Sequence, residues 1–234
     1  MEKLIDFFKD IKIKAILDVG TGTGDFVTVL KEVFSDAEIT GVDPNTESLI
    51  QAKERYLEVT FKEMSAEKLN FENSIFDLAS ISMALHHVPD VKKSLTEIQR
   101  VVKPNGWIVV NELFSDNLNE AQETHKMYHH FRSKIDRLIG ISHNETFKKE
   151  EIIEMVRDSG IDIKQYFENS VKSVQHEDAE ILEERIEKMK LMLEKIKHFP
   201  EYERFKPEIK IFRERVLKYG FLPPPRVVIV GQTR

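Results

Sequence analysis

The chain of 234 residues has no cysteine, which excludes disulfides, thiolate metal ligands and thiolate nucleophiles together. Glycine (9) and proline (8) are sparse, and no stretch reads as a linker, a repeat or a low-complexity segment. No apolar run approaches the length of a membrane span. Residues Met1 to Asp10 carry acids within a helical apolar pattern, unlike the basic and apolar blocks of a signal peptide, so a cytoplasmic protein with no membrane association is expected. Basic charge is also in short supply. The net charge of −6 and isoelectric point near 5.8 disfavour a large phosphate-binding surface, and so nucleic acid as a partner. What remains is an ordinary globular composition, 41% hydrophobic and 32% charged, long enough to bury one α/β core as a single domain over residues 1–234.

The stretch around which the chain is organised is Ile16-Leu17-Asp18-Val19-Gly20-Thr21-Gly22-Thr23-Gly24-Asp25-Phe26. An apolar run from Ala15 to Val19 suits a buried strand, and helical spacing takes over at Phe26, Val29, Leu30 and Val33. Alternating glycines between them let the backbone pass close under a ligand, and the N–H groups of the new helix face whatever occupies the turn. Dinucleotide sites write G-x-G-x-x-G; here the spacing is G-x-G-x-G with Asp18 two positions ahead. An acid there repels phosphate and favours an ammonium.

Three further stations follow in order. Glu38-Ile39-Thr40-Gly41-Val42-Asp43-Pro44 is a strand closing on an acid 19 residues after Gly24, placed to accept ribose hydroxyls. Met64-Ser65-Ala66-Glu67 follows a short strand. Ile75 to Asp90 contains an apolar strand ending in Ser82-Met83, then His86-His87-Val88-Pro89, and Lys103-Pro104-Asn105-Gly106 opens the next strand. Together these stations resemble the class I S-adenosylmethionine-dependent methyltransferases, over roughly residues 15 to 112. The resemblance implies a Rossmann-like, seven-stranded, mostly parallel sheet with an antiparallel last strand at 226–232. It also implies S-adenosyl-L-methionine as cofactor, with Gly20, Gly22 and Gly24 along its methionine portion and Asp18 orienting the ammonium. Asp43 and Pro44 would serve the ribose, Ser65 and the Ala66 N–H the adenine, and the carbonyls of Ser82 and Met83 the ammonium. Ser65 stands where the family commonly has Asp.

Strands are expected near 15–19, 38–42, 58–62, 75–82 and 106–112, and helices near 24–34, 46–57 and 91–102, an alternation that builds a parallel sheet covered on both faces. The N-terminal apolar positions Leu4, Phe7, Phe8 and Ile11 form a helix face, either packing on the sheet or covering the cofactor. After Glu112 the pattern changes: helices over 115–140, from Thr146 to Ser159, and over 177–198, a sixth strand at 161–167, Pro200 and Pro207 as breaks, and a last helix to Tyr219. Residues 113–145 and 171–222 are read as helical lid elaborations that select the acceptor. The stripe Leu182, Ile186, Met189, Leu193, Ile196 fits one helix neighbour, or a homodimer through 177–199.

Methyl transfer from a sulfonium releases a thioether and needs no proton on the leaving group, so positioning can supply most of the acceleration and no metal is called for. The lack of cysteine excludes methylation at pyrimidine C5 and on arsenite, both of which need thiols. No Asn/Asp-Pro-Pro-aromatic signature of adenine or glutamine amino-group methylases is present. The expected reaction is methylation of an O, N or C atom of a small molecule. An RNA or protein methyltransferase, or a non-catalytic adenosine-nucleoside-binding protein, is the alternative. Acceptor-side candidates are His86, His87, His125, Tyr128 and His129; His87 is read as bracing the turn into Pro89. His125 and His129 share a helix face at a spacing compatible with a metal, but with no third ligand in the pattern they are read as surface or substrate-lining residues.

Overall fold

A computed structural model of the chain describes residues 2–170 and 179–234. Its strands are β1 (Ala15–Val19), β2 (Glu38–Asp43), β3 (Thr60–Glu63), β4 (Phe76–Ser82), β5 (Val102–Leu113), β6 (Asp162–Asn169) and β7 (Arg226–Gln232). Its helices are α1 (Glu2–Phe8), α2 (Asp25–Val33), α3 (Thr46–Arg55), α4 (Val91–Val101), α5 (Glu120–Leu138), α6 (Lys149–Asp158), α7 (Ala179–Glu194) and α8 (Glu201–Tyr219). Two compact units result. The first holds the described residues up to Glu112 with Glu150–Asn169 and Arg226–Arg234; the second holds Leu113–Lys149 and the described part of Ser170–Pro225.

The first unit is a seven-stranded sheet in the order β3-β2-β1-β4-β5-β7-β6. β1 pairs in parallel with β2 and β4, β2 with β3 and β4 with β5, whereas β6 and β7 are antiparallel. The Thr233 N–H donates to the Gly106 carbonyl at 3.0 Å, so β7 ends where β5 begins and runs against it. The strand order reverses between β1 and β4, and in open α/β sheets a ligand crevice opens at the carboxyl ends of such strands. β1 and β4 are largely buried along both faces, as strands at the centre of a covered parallel sheet are. Leu4 and Phe8 of α1 are buried in that core, Phe8 edge-on to Phe34 and Trp107, so α1 packs on the sheet. β5 is longer than its apolar run predicts: Phe76 pairs with Val102 ahead of a bulge, and the Lys-Pro-Asn-Gly segment lies inside the strand, with Asn105 at φ 59°.

Among the described residues, the second unit has three helices about one apolar cluster. Phe131 and Ile135 of α5, Phe205, Phe212 and Val216 of α8, and the stripe Leu182, Ile186, Met189, Leu193 with Ile196 meet there. The stripe therefore serves two helix neighbours and is consumed within the chain, which leaves these five side chains unavailable to a second copy. Residues 177–178 of the proposed interface lie outside the described residues. Three boundaries differ from expectation. α5 starts at Glu120, where Asn119 and Gln122 form a reciprocal capping box. α6 starts at Lys149, whose N–H is met by the Asp116 carboxylate at 2.6 Å; the Thr146 hydroxyl, the expected cap, instead bonds His130 Nε2 at 2.9 Å. Pro207 lies inside α8 and does not break it; it has no N–H to return to the Glu203 carbonyl, a loss offset by burial of Phe205, Phe212 and Val216.

Candidate active site

The glycine turn leaves β1 at the point of strand-order reversal. Gly20, Gly22 and Gly24 all have positive φ, at 67°, 52° and 83°. A Cβ on Gly20 would sit 2.5 Å from the Ala84 side chain, so this glycine serves packing between the ends of β1 and β4. A Cβ on Gly22 would meet nothing within 4 Å and would project into open space, the mark of a cradle. α2 begins at Gly24 without a side-chain cap, so its first N–H groups face the same turn.

Asp18 is the unusual group beside it, 1% exposed. Its Oδ1 accepts the Ser80 hydroxyl at 2.7 Å, while Oδ2 and the neighbouring Thr21 Oγ1, both buried, have no hydrogen bond of normal geometry. Burial raises its pKa from 3.8 to about 6; Thr21 and Ser80 pull it down, and the charge of Asp43 pushes it up. A buried carboxylate with an unmet oxygen fits a cation and disfavours a pyrophosphate. Asp43 closes β2 with Oδ2 accepting the Gly22 N–H at 2.9 Å and Oδ1 accepting the Asn45 N–H at 2.8 Å. One bond to each oxygen leaves acceptor capacity for a diol. Pro44 follows, and Asn45 caps α3. On the next loop the Ser65 hydroxyl accepts the Glu67 N–H at 3.3 Å, and Ala66 is buried.

At the end of β4, Met83 has φ 53°, an uncommon conformation for methionine that costs on the order of 1 kcal/mol. Its N–H is held by the Asn111 carbonyl at 2.7 Å, and Asn111 Nδ2 donates to Ser82 Oγ at 2.8 Å. Asn111 also lines a small cavity whose other walls are mainly Leu4, Phe26, Phe167 and Val228, with Arg226 as its cation. His86 lies in a 3-10 turn, Leu85–His87, and is 3% exposed. Its Nδ1 is 2.9 Å from Oε1 of Glu112, and Glu112 Oε2 accepts the Leu85 N–H at 2.9 Å. That carboxylate fixes ring and tautomer together. Glu112 was missed in the sequence because it sits as the last acid of an apolar strand; an ionisable group in a run otherwise buried on both faces was the available signal.

Of the remaining candidates, His87 shares the 3-10 turn with its ring 4.2 Å from that of His86, and His125, Tyr128 and His129 belong to the second unit. His125 stacks on Phe221 at 4.7 Å, and Tyr128 packs against Phe212 and Phe221. His129 Nε2 lies 3.1 Å from Nε2 of His143, a residue not among the sequence candidates, and the two rings meet edge to face.

This architecture, with the acid-preceded glycine turn at its switch point, is the Rossmann-like fold found in class I S-adenosylmethionine-dependent methyltransferases. Residues 17–110 match the family model described as a methyltransferase domain. The ubiquinone/menaquinone biosynthesis C-methyltransferase of Bdellovibrio bacteriovorus is 36% identical over 107 residues, 44% of this chain and 46% of that protein. The demethylmenaquinone methyltransferase of Thermus thermophilus is 37% identical over 114 residues, covering 47% and 52%. The chain spans about half the length of the curated relatives it matches. Among solved structures, an S-adenosylmethionine-dependent methyltransferase of Methanosarcina mazei superposes with a TM-score of 0.61 at 17% identity, over 98% of this chain and 96% of that one, a likeness of fold.

Proposed function

We propose that this protein transfers a methyl group from S-adenosyl-L-methionine to a small-molecule acceptor. The observation that carries the reading is Asp18: a buried carboxylate with an unmet oxygen, beside an open glycine cradle, at the carboxyl ends of β1 and β4. The cofactor supplies a methyl group on a sulfonium, so the protein's task is alignment. Asp18 holds the ammonium as its counter-ion. Gly22 gives the methionine portion room, Asp43 accepts the ribose hydroxyls, and Ala66 N–H meets the adenine edge. The carbonyls of Ser82 and Met83 would serve the same ammonium, a role supported by the left-handed turn at Met83. The acceptor enters through the cavity beside Asn111, and His86, oriented by Glu112, takes its proton.

One relative is named a ubiquinone/menaquinone biosynthesis C-methyltransferase and the other a demethylmenaquinone methyltransferase, which supports a quinone-type ring as acceptor and carbon as the atom methylated. The acceptor-selecting lid is assigned to residues 113–145 and 171–222, of which 171–178 lie outside the described residues. In support, the chain departs from the sheet at the ends of β5 and β6 and returns at the start of antiparallel β7, all at the carboxyl edge. Calorimetry tests the reading: S-adenosylmethionine and S-adenosylhomocysteine bind and NAD does not. Asp43→Ala lowers that affinity by about 1.5–3 kcal/mol, roughly 10- to 150-fold, with the far-ultraviolet circular dichroism unchanged. Binding of NAD with neither methyl-cycle nucleoside, or an unchanged affinity in the variant, overturns it.

A further inference from the structure

From the second unit alone, we infer that His129 and His143 form a binding site for a divalent transition-metal ion, with Asp136 as the carboxylate that orients it. Asp136 lies seven residues after His129 on α5, hence on the same helix face two turns on. The helix ends at Gly140, whose φ of 81° reverses the chain, and the Ile141 N–H donates back to the Asp136 carbonyl at 2.8 Å. That reversal lays His143 over the face carrying Asp136 and His129. Arg137 Nη1 then fixes the His143 carbonyl at 3.1 Å, so the backbone of the ring is pinned as well as its edge.

His143 is 2% exposed, and its Nδ1 is 2.7 Å from Asp136 Oδ2. A carboxylate at Nδ1 keeps the proton on that nitrogen and leaves the lone pair on Nε2, the arrangement in which histidines ligate metals with a carboxylate behind them. The Nε2 lone pair meets Nε2 of His129 at 3.1 Å. Two imidazole nitrogens bound tetrahedrally at about 2.0–2.1 Å lie about 3.3 Å apart, so a few tenths of an ångström of ring movement admits the ion. Imidazole donors favour zinc, cobalt, nickel or copper over magnesium and calcium. The competing account of the same distance is a hydrogen bond between two neutral rings, in which His129 carries the proton on Nε2; that account predicts no metal uptake.

The full chain, stripped with chelator and dialysed, is titrated with cobalt(II) and then with zinc(II) against a chromogenic chelator. The site predicts one equivalent of cobalt with visible d–d absorption, displaced by zinc. His129→Gln, a half-exposed position that leaves the Asp136–His143 pair in place, should lose that equivalent. Asp136→Asn should weaken zinc roughly 10- to 100-fold. His125→Gln, on the same helix but stacked on Phe221, should bind as the parent does. Thermal melts of each variant separate loss of the site from loss of the fold. No stoichiometric cobalt uptake by the parent protein, or uptake undiminished in folded His129→Gln, overturns the inference. Neither readout involves methyl transfer, so the two readings stand or fall separately.

Discussion

Replacing Asp18 with Asn should make the protein more stable at pH 8 and worse at binding cofactor, and both effects follow from one buried charge. In the folded chain the carboxyl titrates at about 6 against an ordinary 3.8. At about 1.4 kcal/mol per pKa unit, the ionised form costs the native state about 3 kcal/mol. Because the folded pKa is raised, the native state binds the proton more tightly than the unfolded chain. The cost is therefore complete above pH 6, shrinks as pH falls from 6 toward 4, and is absent below. Asn keeps an oxygen for the Ser80 hydroxyl and carries no charge. The variant should gain up to about 3 kcal/mol at pH 8, roughly 6–12 °C in midpoint for a chain of this size, and almost nothing at pH 4. Melts across that pH range read the gain; calorimetry with S-adenosylhomocysteine reads the cost, roughly 10- to 150-fold for a lost bond to a charged group. Affinity of the parent should itself fall about tenfold between pH 7.5 and pH 5, where about one Asp18 in ten is ionised. A gain of equal size at pH 4 and pH 8 would refute the electrostatic reasoning, and undiminished cofactor affinity in a stabilised variant would remove Asp18 from the ammonium site.

The two glycines should separate packing from binding. Gly20→Ala, which drives a Cβ to 2.5 Å from Ala84 at φ 67°, should destabilise the fold by on the order of 2 kcal/mol; Gly22→Ala, facing open space, should cost about 1 kcal/mol of stability but most of the cofactor affinity, as read by melts and calorimetry side by side. Met189→Asp puts a charge into the apolar cluster of α5, α7 and α8, and proteolysis should then cut the second unit first; a change of oligomeric state with the fold intact would contradict the intramolecular burial of that stripe.

The glycine turn, the acids at Asp18 and Asp43 and the strand–helix alternation to Glu112 were legible in the sequence because each is a local statement. Period-2 and period-3.6 patterns, a turn needing positive φ and an acid closing a strand are all written within a dozen residues. The caps of α3 and α4 by Asn45 and Asp90 are equally local. What the sequence by itself did not determine depends on residues brought together from a distance. Glu112 reaches His86 across neighbouring strands, 26 positions away, and Asp116 caps α6 from 33 positions away. His143 reaches His129 from 14 positions away because Gly140 reverses the chain, a consequence that spacing along a helix does not contain. The α7 stripe specified that an apolar face exists and left its partner open, since burial against α5 and α8 and burial against a second copy remove the same surface from water. Tertiary packing alone decided between them.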